Sequence, residues 1–290
     1  MKLSFLKERG FSSIFLVLFL LLMGGAYVAT QLKINQITRQ KIPGSSVIYI
    51  PSGKYLKYAS FGYSSFLADM IYIWAIQYYS TYTISAAERY KYLDHIFSII
   101  SELDPLYLDP YDIGALIAVY EARNPELGFK ILDRGLEKNP EQWIFPFEAG
   151  HYAQLVKKDY QTAQHYYKIA MGIEGIPPHV KRLYANAAFK AMDFQTSWQT
   201  WLEVYNTAED ERTKKIASNH LYQVKAGLDI KMIQEAIQEY KARYDHNPLN
   251  LSQLVRTGFL KSLPKDFDGK DYLYDSQTGE VKAPTIPWKR

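Results

Sequence analysis

Six histidines and a small group of aspartates are the side chains whose types and spacing could bind a metal ion. The histidines are His95, His151, His165, His179, His220 and His246. They form no HExxH motif and no pair at ligand spacing with an acid on one helix face. The chain contains no cysteine, which excludes a zinc–thiolate site, a disulfide, a thiol nucleophile and a lipobox. We therefore expect no metal site and no cofactor.

The aspartates lie in the sequence KDFDGKD, as Asp266, Asp268 and Asp271. Alternating carboxylates beside a glycine can supply oxygen ligands to calcium, but the glutamate that closes an EF-hand loop is missing. Aspartate and glycine also favour tight turns, and we expect a turn here. Calcium binding is the alternative.

Motifs of the common enzyme classes are missing as well. The sequence has no GxGxxG, no GxxxxGK[ST] and no GxSxG, so nucleotide binding and hydrolase chemistry lack their usual local signals. A catalytic site assembled from distant residues stays open, but we expect that the chain is not an enzyme. Because its net charge of +4 comes without a long basic run or an aromatic–basic RNA-binding motif, nucleic acid is not an expected partner.

The elements that would position a site begin with a hydrophobic segment. No charged residue lies between Arg9 and Lys33, and the uncharged stretch is long enough to cross the roughly 30 Å of bilayer hydrocarbon as a helix. We expect a basic N-terminal tail over residues 1–10 and a transmembrane signal anchor over residues 11–31. A cleaved signal peptide is the first alternative, although its best cuts put large side chains at the −3 position, and a buried soluble helix is the second.

Orientation is weakly indicated by the charges around this segment. Basic residues flank it on both sides: Lys2, Lys7 and Arg9 before it, and Lys33, Arg39 and Lys41 after it. A short basic tail before a first anchor usually stays in the cytoplasm. We therefore expect a single-pass protein of the inner (cytoplasmic) membrane whose globular domain is periplasmic or otherwise extracytoplasmic.

Residues 32–61 are predicted to be a linker, because prolines and glycines interrupt them, with a short strand at 47–50. Apolar and aromatic residues then fill nearly every face of a predicted helix over 64–80, so this helix is expected to be deeply buried. Asp69 within it is expected to be a satisfied buried carboxylate or a helix-end contact, and a functional role is the alternative.

An internal repeat decides the predicted fold. Asp159 begins DYQTAQHYYKIA, and Asp193, 34 positions later, begins DFQTSWQTWLEV. The fragments match by type at Asp159 and Asp193, Tyr160 and Phe194, Ala163 and Ser197, Tyr167 and Trp201, and Ala170 and Val204. Small, large and small side chains at this spacing allow close approach of helices around one central ring.

The spacing continues upstream, where Pro105 and Pro140 lie 35 positions apart and each is expected to end a second helix. Gly128, Leu132 and Gly135 take the small, large and small positions of that unit. This pattern resembles that of tetratricopeptide repeat proteins, whose period is about 34 residues. The resemblance implies a mainly α fold, with a solenoid of about four helix pairs over 62–206.

The resemblance also implies a binding surface. Tetratricopeptide arrays usually bind an extended peptide along the first helices of their pairs. The candidate groove residues are therefore first-helix residues, Tyr111, Phe147, His151, Tyr184 and Asn186. Packing in the core is the alternative role of each aromatic residue.

Residues 207–247 are predicted to be two capping helices, at 209–225 and 228–244, because the second has an apolar stripe opposite its charges. Residues 248–290 are predicted to form a small α+β tail. In this tail we expect a helix that ends at Gly258, a turn at 265–269, and a hairpin with strands near 272–274 and 280–282, joined through 276–279.

The tail resembles the C-terminal part of type II secretion pseudopilins. The resemblance rests on Leu254, Gly258, Leu260, Leu263, Pro264, Asp266, Gly269, Tyr272 and Tyr274. Those pseudopilins also have an N-terminal membrane helix, but this chain has a repeat domain between the two parts and no prepilin peptidase site. The resemblance implies a similar small fold rather than a shared function.

Together these patterns predict a membrane-anchored scaffold or adaptor that binds protein or peptide partners in cell-envelope assembly, secretion, pilus formation or polysaccharide export. Its contact with the lipid bilayer would be through residues 11–31, and no small-molecule cofactor is expected. A tether of this kind raises the effective concentration of partners in the membrane. The alternatives are a permanent structural subunit of a larger membrane complex and an envelope enzyme.

Overall fold

A computed structural model describes residues 4–36, 50–80, 86–285 and 288 of the chain. The described residues are mainly α-helical, with one two-stranded sheet near the C-terminus. The mainly α fold predicted from the sequence is therefore confirmed, and the order of its helices is compatible with an α-solenoid. The chain divides into two units, Met1–Tyr49 and Ile50–Arg290. The strand predicted at 47–50 falls largely outside the described residues.

The first unit contains one helix, α1 (Ser4–Gln36). Its described apolar side chains are exposed, among them Leu21 and Leu22. The helix runs past the predicted start of the linker at residue 32, because no proline interrupts its hydrogen bonding before it ends at Gln36. Lys33 lies in the last turn, where a positive charge is favourable. In the described part of the chain, no helix combines the length and the hydropathy that a membrane span requires. The anchor over 11–31 stays a prediction.

The second unit is a chain of helices that ends in a β-hairpin. Its elements are α2 (Gly53–Ala59), α3 (Ser64–Tyr79), α4 (Ala86–Arg89), α5 (Leu93–Leu103), α6 (Asp109–Leu116), α7 (Pro125–Lys138), α8 (Ile144–Tyr152), α9 (Tyr160–Met171), α10 (His179–Lys190), α11 (Phe194–Thr207), α12 (Glu211–Tyr244), α13 (Ser252–Arg256), β1 (Leu273–Tyr274) and β2 (Val281–Lys282). The helices α3 and α5, α6 and α7, α8 and α9, and α10 and α11 pack as pairs. In the described residues these four pairs lie between Ser64 and Thr207.

The second helices of the pairs contribute the predicted small, large and small residues to the core. Tyr167 and Trp201, the large residues of α9 and α11, are buried, and so are the small residues on either side of each. In α7 a Cβ added to Gly128 would lie 2.4 Å from Cγ2 of Val119. The glycine is therefore needed for the close approach of α7 to the π-helical turn Ile117–Glu121 that follows α6.

The turns between paired helices repeat one local structure. A left-handed residue, Arg123, Lys158 or Met192, is followed in each turn by an N-cap, Asn124, Asp159 or Asp193. Each N-cap side chain accepts a hydrogen bond from the backbone N–H three residues later, at 3.1, 3.0 and 3.2 Å. These side chains satisfy N–H groups that a helix start leaves without partners. The repeat is therefore present in the backbone as well as in the sequence.

The ends of successive pairs are tied together at the predicted proline positions. Helices α5 and α7 end two residues before Pro105 and Pro140, as predicted. The side-chain amide of Asn139 donates to the carbonyl oxygen of Pro105 at 2.9 Å, and the hydroxyl of Tyr111 donates to the same oxygen at 3.1 Å. One carbonyl group thus links two repeats.

The start of the second unit differs from its prediction. The predicted linker over 32–61 includes the helix α2, because α2 finds a packing surface on α5. The predicted deep burial of the helix over 64–80 is wrong, since α3 also packs on α5 through one side and exposes the other. Asp69 lies exposed on α3, so its predicted role as a buried carboxylate is wrong too.

The two predicted capping helices are one continuous helix, α12, of 34 residues. The prediction left residues 226 and 227 between the two helices. In the structure a Cβ added to Gly227 would lie 2.8 Å from Cε1 of Phe194. The glycine gives α11 room to approach α12 instead of ending the helix.

The tail folds back onto α12 with its own buried cluster. Leu254, Leu260, Tyr272 and Val281 pack against the buried stripe of α12 that includes Ile233. The hairpin is confirmed, with Leu273 opposite Lys282 and Tyr274 opposite Val281, and α13 ends two residues before Gly258.

The predicted turn around Asp266 is confirmed. Its Oδ1 accepts hydrogen bonds from the backbone N–H groups of Asp268 and Lys270, at 2.9 and 2.7 Å. Its Oδ2 accepts one from the hydroxyl of Tyr222 at 2.8 Å. These hydrogen bonds hold the pKa of Asp266 below its usual value although burial opposes them. Among the described residues no three acids or histidines are grouped to hold a metal ion.

Candidate functional site

The five candidate groove residues lie on the first helices α6, α8 and α10, but they are not equally accessible. Tyr111 and Tyr184 are buried, and the ring of Tyr111 lies 5.5 Å from that of Phe145. Phe147, His151 and Asn186 are half-buried. Tyr111 and Tyr184 are therefore core residues. For the other three residues, binding of a partner in the groove stays a prediction.

Phe147 is the centre of an aromatic group that joins two pairs. Its ring lies 5.9 Å from the ring of His151 on the next turn of α8 and 5.8 Å, edge to face, from the ring of His179 on α10. The ring of Trp143 lies 5.7 Å away on the preceding turn. Such contacts fix ring orientation beyond what burial alone provides. They hold His151 at the surface of α8 with part of its imidazole exposed.

A carboxylate lies beside this group. Oε2 of Glu148 is 3.7 Å from Nδ1 of His151, and the Glu148 side chain is 20% exposed. Burial raises the pKa of Glu148, and the negative charge of Asp112 on α6 raises it further, while His151 opposes both effects. Burial also raises the pKa of Asp112, and Asp109 adds to the shift. The negative charge of Asp112 thus disfavours the charged form of Glu148 on the neighbouring first helix.

Two tyrosines complete the surroundings of Glu148. Tyr152 is buried, its ring lies 5.7 Å from the exposed ring of Tyr120, and its pKa is raised by burial and then by Glu148. Tyr167 on α9 is also buried, and within the described part of the chain its hydroxyl has no hydrogen-bond partner. Burial raises the pKa of Tyr167, and Glu148 raises it further. We call Asp112, Phe147, Glu148, His151 and Tyr152 the first-helix cluster.

No protein-family model matches the chain, and no curated protein matches it.

The first-helix cluster has the chemistry of a binding site for a cationic group. A cation would relieve the repulsion between Asp112 and Glu148, and the exposed faces of nearby aromatic rings attract positive charge as well. The side chain of His151, which lies beside Glu148, is part-exposed. A lysine, an arginine or a free amino group of a partner has the required charge.

Sequence reasoning named Phe147 and His151 but missed Asp112 and Glu148. A signal was present, since the two acids lie 36 positions apart, close to one repeat, and so fall on neighbouring first helices. The sequence does not show how deeply each acid is buried. That depth depends on how tightly α6 and α8 pack.

Three cavities elsewhere in the second unit are lined by other residues. The largest, of about 740 Å³, lies where α10, α11 and the start of α12 meet, and it contains the ion pair of Lys181 with Glu203. A cavity of about 610 Å³ lies along α7 and α9, and one of about 550 Å³ lies beside Tyr90 and Asn124. The linings of the three include neither Asp112 nor Glu148.

Proposed function

We propose that this chain is a membrane-anchored scaffold of the tetratricopeptide-like type, which binds basic segments of protein partners at the first-helix cluster. The setting would be assembly or export in the cell envelope, with the second unit outside the cytoplasm. The observation that carries the proposal is the placement of half-buried Glu148 beside aromatic rings and a second acid.

Repeated helix pairs support binding rather than catalysis. Each pair adds a similar surface, so that a partner segment can contact several first helices additively. The first-helix cluster joins α6 and α8, and the contact of Phe147 with His179 extends it to α10. An extended segment lying across these helices would place a basic residue beside Glu148 and apolar residues beside Phe147.

The anchor has a physical use in this proposal. Residues 11–31 would confine the second unit to the membrane surface, where a tether raises the local concentration of membrane partners. Weak contacts at one cluster then suffice for binding. This confinement is also compatible with a scaffold that releases its partner, because each single contact is weak.

The alternatives are less well supported. A permanent structural subunit would pack through its anchor and its tail. Part of the tail's apolar surface is buried against α12 of the same chain, while Leu249, Phe267 and Leu273 are exposed. An enzyme could use the acids Asp112 and Glu148 as an acid–base pair, since such pairs often have raised pKa values. The three described cavities do not contain this pair.

Peptide selection would test the proposed binding site. The full chain in lipid nanodiscs is used to select from a random peptide display library, with the double variant Asp112→Asn/Glu148→Gln as counter-selection. Glu235→Gln is the matched control, because Glu235 is exposed on α12. We expect selected peptides rich in lysine or arginine next to apolar residues, and roughly tenfold weaker binding to the double variant.

Each outcome of the selection either supports or contradicts the proposed site. Unchanged binding to Glu235→Gln, with loss in the double variant, would support the cluster. Peptides that bind the double variant as tightly as the native chain, or a selection without enrichment of basic residues, would contradict it. Circular dichroism of each variant checks that the helices are retained.

A further inference from the structure

An exposed apolar surface lies at the start of the second unit, on α2, on α3 and on the turn between them. Its apolar side chains are between 51% and 89% exposed: Tyr55, Tyr58, Phe61, Tyr63, Phe66, Met70 and Ile73. We call these residues the aromatic face. Monomeric proteins seldom expose so many large apolar side chains together unless the surface binds something.

The aromatic face is firmly placed on the fold. Both α2 and α3 pack against α5 on their other sides. The backbone N–H of Lys54 donates to Oε2 of Glu102 on α5 at 2.9 Å, and a Cβ added to Gly53 would lie 2.6 Å from the Cβ of Glu102. The face is therefore presented by a fixed support and not by a loose segment.

The composition of the aromatic face fits the headgroup layer of a bilayer. Tyrosine has an apolar ring and a polar hydroxyl, and it is enriched where hydrocarbon meets water. Three of the exposed residues are tyrosines and two are phenylalanines. Because protein interfaces are also enriched in aromatic side chains, the neighbouring charges and the chain connectivity distinguish a bilayer from a protein partner.

The charges around the aromatic face favour an anionic surface. Lys54 and Lys57 are exposed on α2, and Asp69 is the single acid in the sequence from 53 to 73. Each basic residue held near anionic lipid strengthens binding roughly fivefold. The lysines and the aromatic rings are thus suited to the same partner.

Chain connectivity brings a bilayer within reach. Residues 37–49 join α1 to Ile50, and 13 residues span at most roughly 45 Å when fully extended. We propose that the aromatic face rests in the headgroup layer of the anionic bilayer that anchors α1. This proposal rests on the anchor of the proposed function, and it adds a second membrane contact that orients the second unit.

Site-specific spin labels would test this contact in the full chain, since the chain contains no cysteine to interfere. Met70→Cys places a nitroxide label on the aromatic face without removing a ring, Leu21→Cys places one on α1, and Glu235→Cys is the exposed control on α12. Each protein is reconstituted into nanodiscs of phosphatidylcholine with phosphatidylglycerol. Collisions with oxygen and with a water-soluble nickel chelate give the depth of each label.

We expect the label at 70 at headgroup depth, the label at 21 in the hydrocarbon, and the label at 235 in water. A label at 21 in the hydrocarbon with a label at 70 in water would overturn the second contact and leave the anchor standing. A label at 21 in water would overturn the anchor, whatever the label at 70 reports. Shielding of the label at 70 from both reagents, with spin–spin broadening, would show a second copy of the chain on the face and would also overturn the proposal.

The lysines provide an independent arm of the experiment. In the Met70→Cys background, Lys54→Gln/Lys57→Gln is expected to raise exposure of the label to the nickel chelate, and nanodiscs of phosphatidylcholine alone are expected to do the same. Unchanged exposure in both conditions would contradict the role of anionic lipid.

Discussion

At the scale of single residues, close approach between helices is set by glycines that face a large neighbour. Gly128 is the clearest case, because Cγ2 of Val119 lies 2.4 Å from the position that its Cβ would take. Alanine favours a helix interior over glycine by about 1 kcal/mol. Overpacking a well-packed core usually costs about 1–3 kcal/mol. The outcome of a substitution here therefore depends on the neighbouring side chain.

We predict that Gly128→Ala lowers the free energy of unfolding in the native background. In the Val119→Ala background the same substitution is expected to be neutral or stabilising, because Cγ2 is gone and helix propensity remains. Denaturant unfolding of the four proteins in this double-mutant cycle measures the coupling. Additive effects of the two substitutions would show that α7 does not approach the turn after α6 as closely as the structure has it.

A second residue-scale property is the neutrality of His220. Its ring stacks on Trp201 with 3.9 Å between centroids, and burial lowers its pKa to about 4, although a contact with Gln223 opposes the shift. The unfolded chain takes up this proton near the ordinary pKa of about 6.5. Stability contributed by this histidine is therefore complete above pH 6.5 and is lost as the pH falls from about 6.5 to about 4.

We predict that His220→Phe, which keeps a ring against Trp201, reduces the fall in melting temperature between pH 6.5 and 4. His165→Phe is the matched control, since His165 is exposed. Thermal unfolding across this pH range, followed by circular dichroism, checks the difference. Equal slopes for His220→Phe and the native chain would mean that His220 titrates normally in the folded state.

At the scale of elements, the repeat was predictable and its boundaries were not. The residues at the spacing of Asp159 and Asp193 predicted paired helices, because caps and small residues are local features that tertiary packing retains. The continuity of α12 through residues 226 and 227 was missed, since Gly227 packs against Phe194 of another helix. The exposure of one side of α3 was also missed, because the sequence shows which residues are apolar but not which side of the helix packs against another helix.

The joining of the tail to α12 belongs to this scale as well. The hydroxyl of Tyr272 donates to Oδ2 of buried Asp229 at 2.6 Å, and Lys225 also contacts that carboxylate, at 2.5 Å. Burial and then Asp229 raise the pKa of Tyr272, so the hydroxyl keeps its proton and remains a donor. The tail is thereby bonded to α12 as well as packed against it.

We predict that Tyr272→Phe lowers the free energy of unfolding by about 1–3 kcal/mol, because a buried carboxylate loses a donor. Tyr244→Phe is the matched control, since Tyr244 is exposed at the end of α12. Urea unfolding of both variants gives the difference. Equal stability of the two would indicate that the tail does not depend on this hydrogen bond.

At the scale of the whole molecule, we propose that a membrane anchor is joined to a helical-repeat unit that binds partners. Candidate site residues were predictable where the repeat placed them on first helices, as for Phe147 and His151. Accessibility was not predictable, and Tyr111 and Tyr184 proved to be core residues. The acids Asp112 and Glu148 gain their significance from burial, which only the packed helices determine.

Photo-cross-linking at His151 tests the central claim most directly. The full chain with p-benzoylphenylalanine in place of His151 is expressed in its native membranes, and the same photoprobe in place of exposed Lys168 on α9 is the control. The account predicts that the probe at 151, unlike the probe at 168, cross-links to a partner segment that contains lysine or arginine. It also predicts loss of this product in Asp112→Asn/Glu148→Gln. No product above the control, or a product that the double variant forms equally well, would contradict the account.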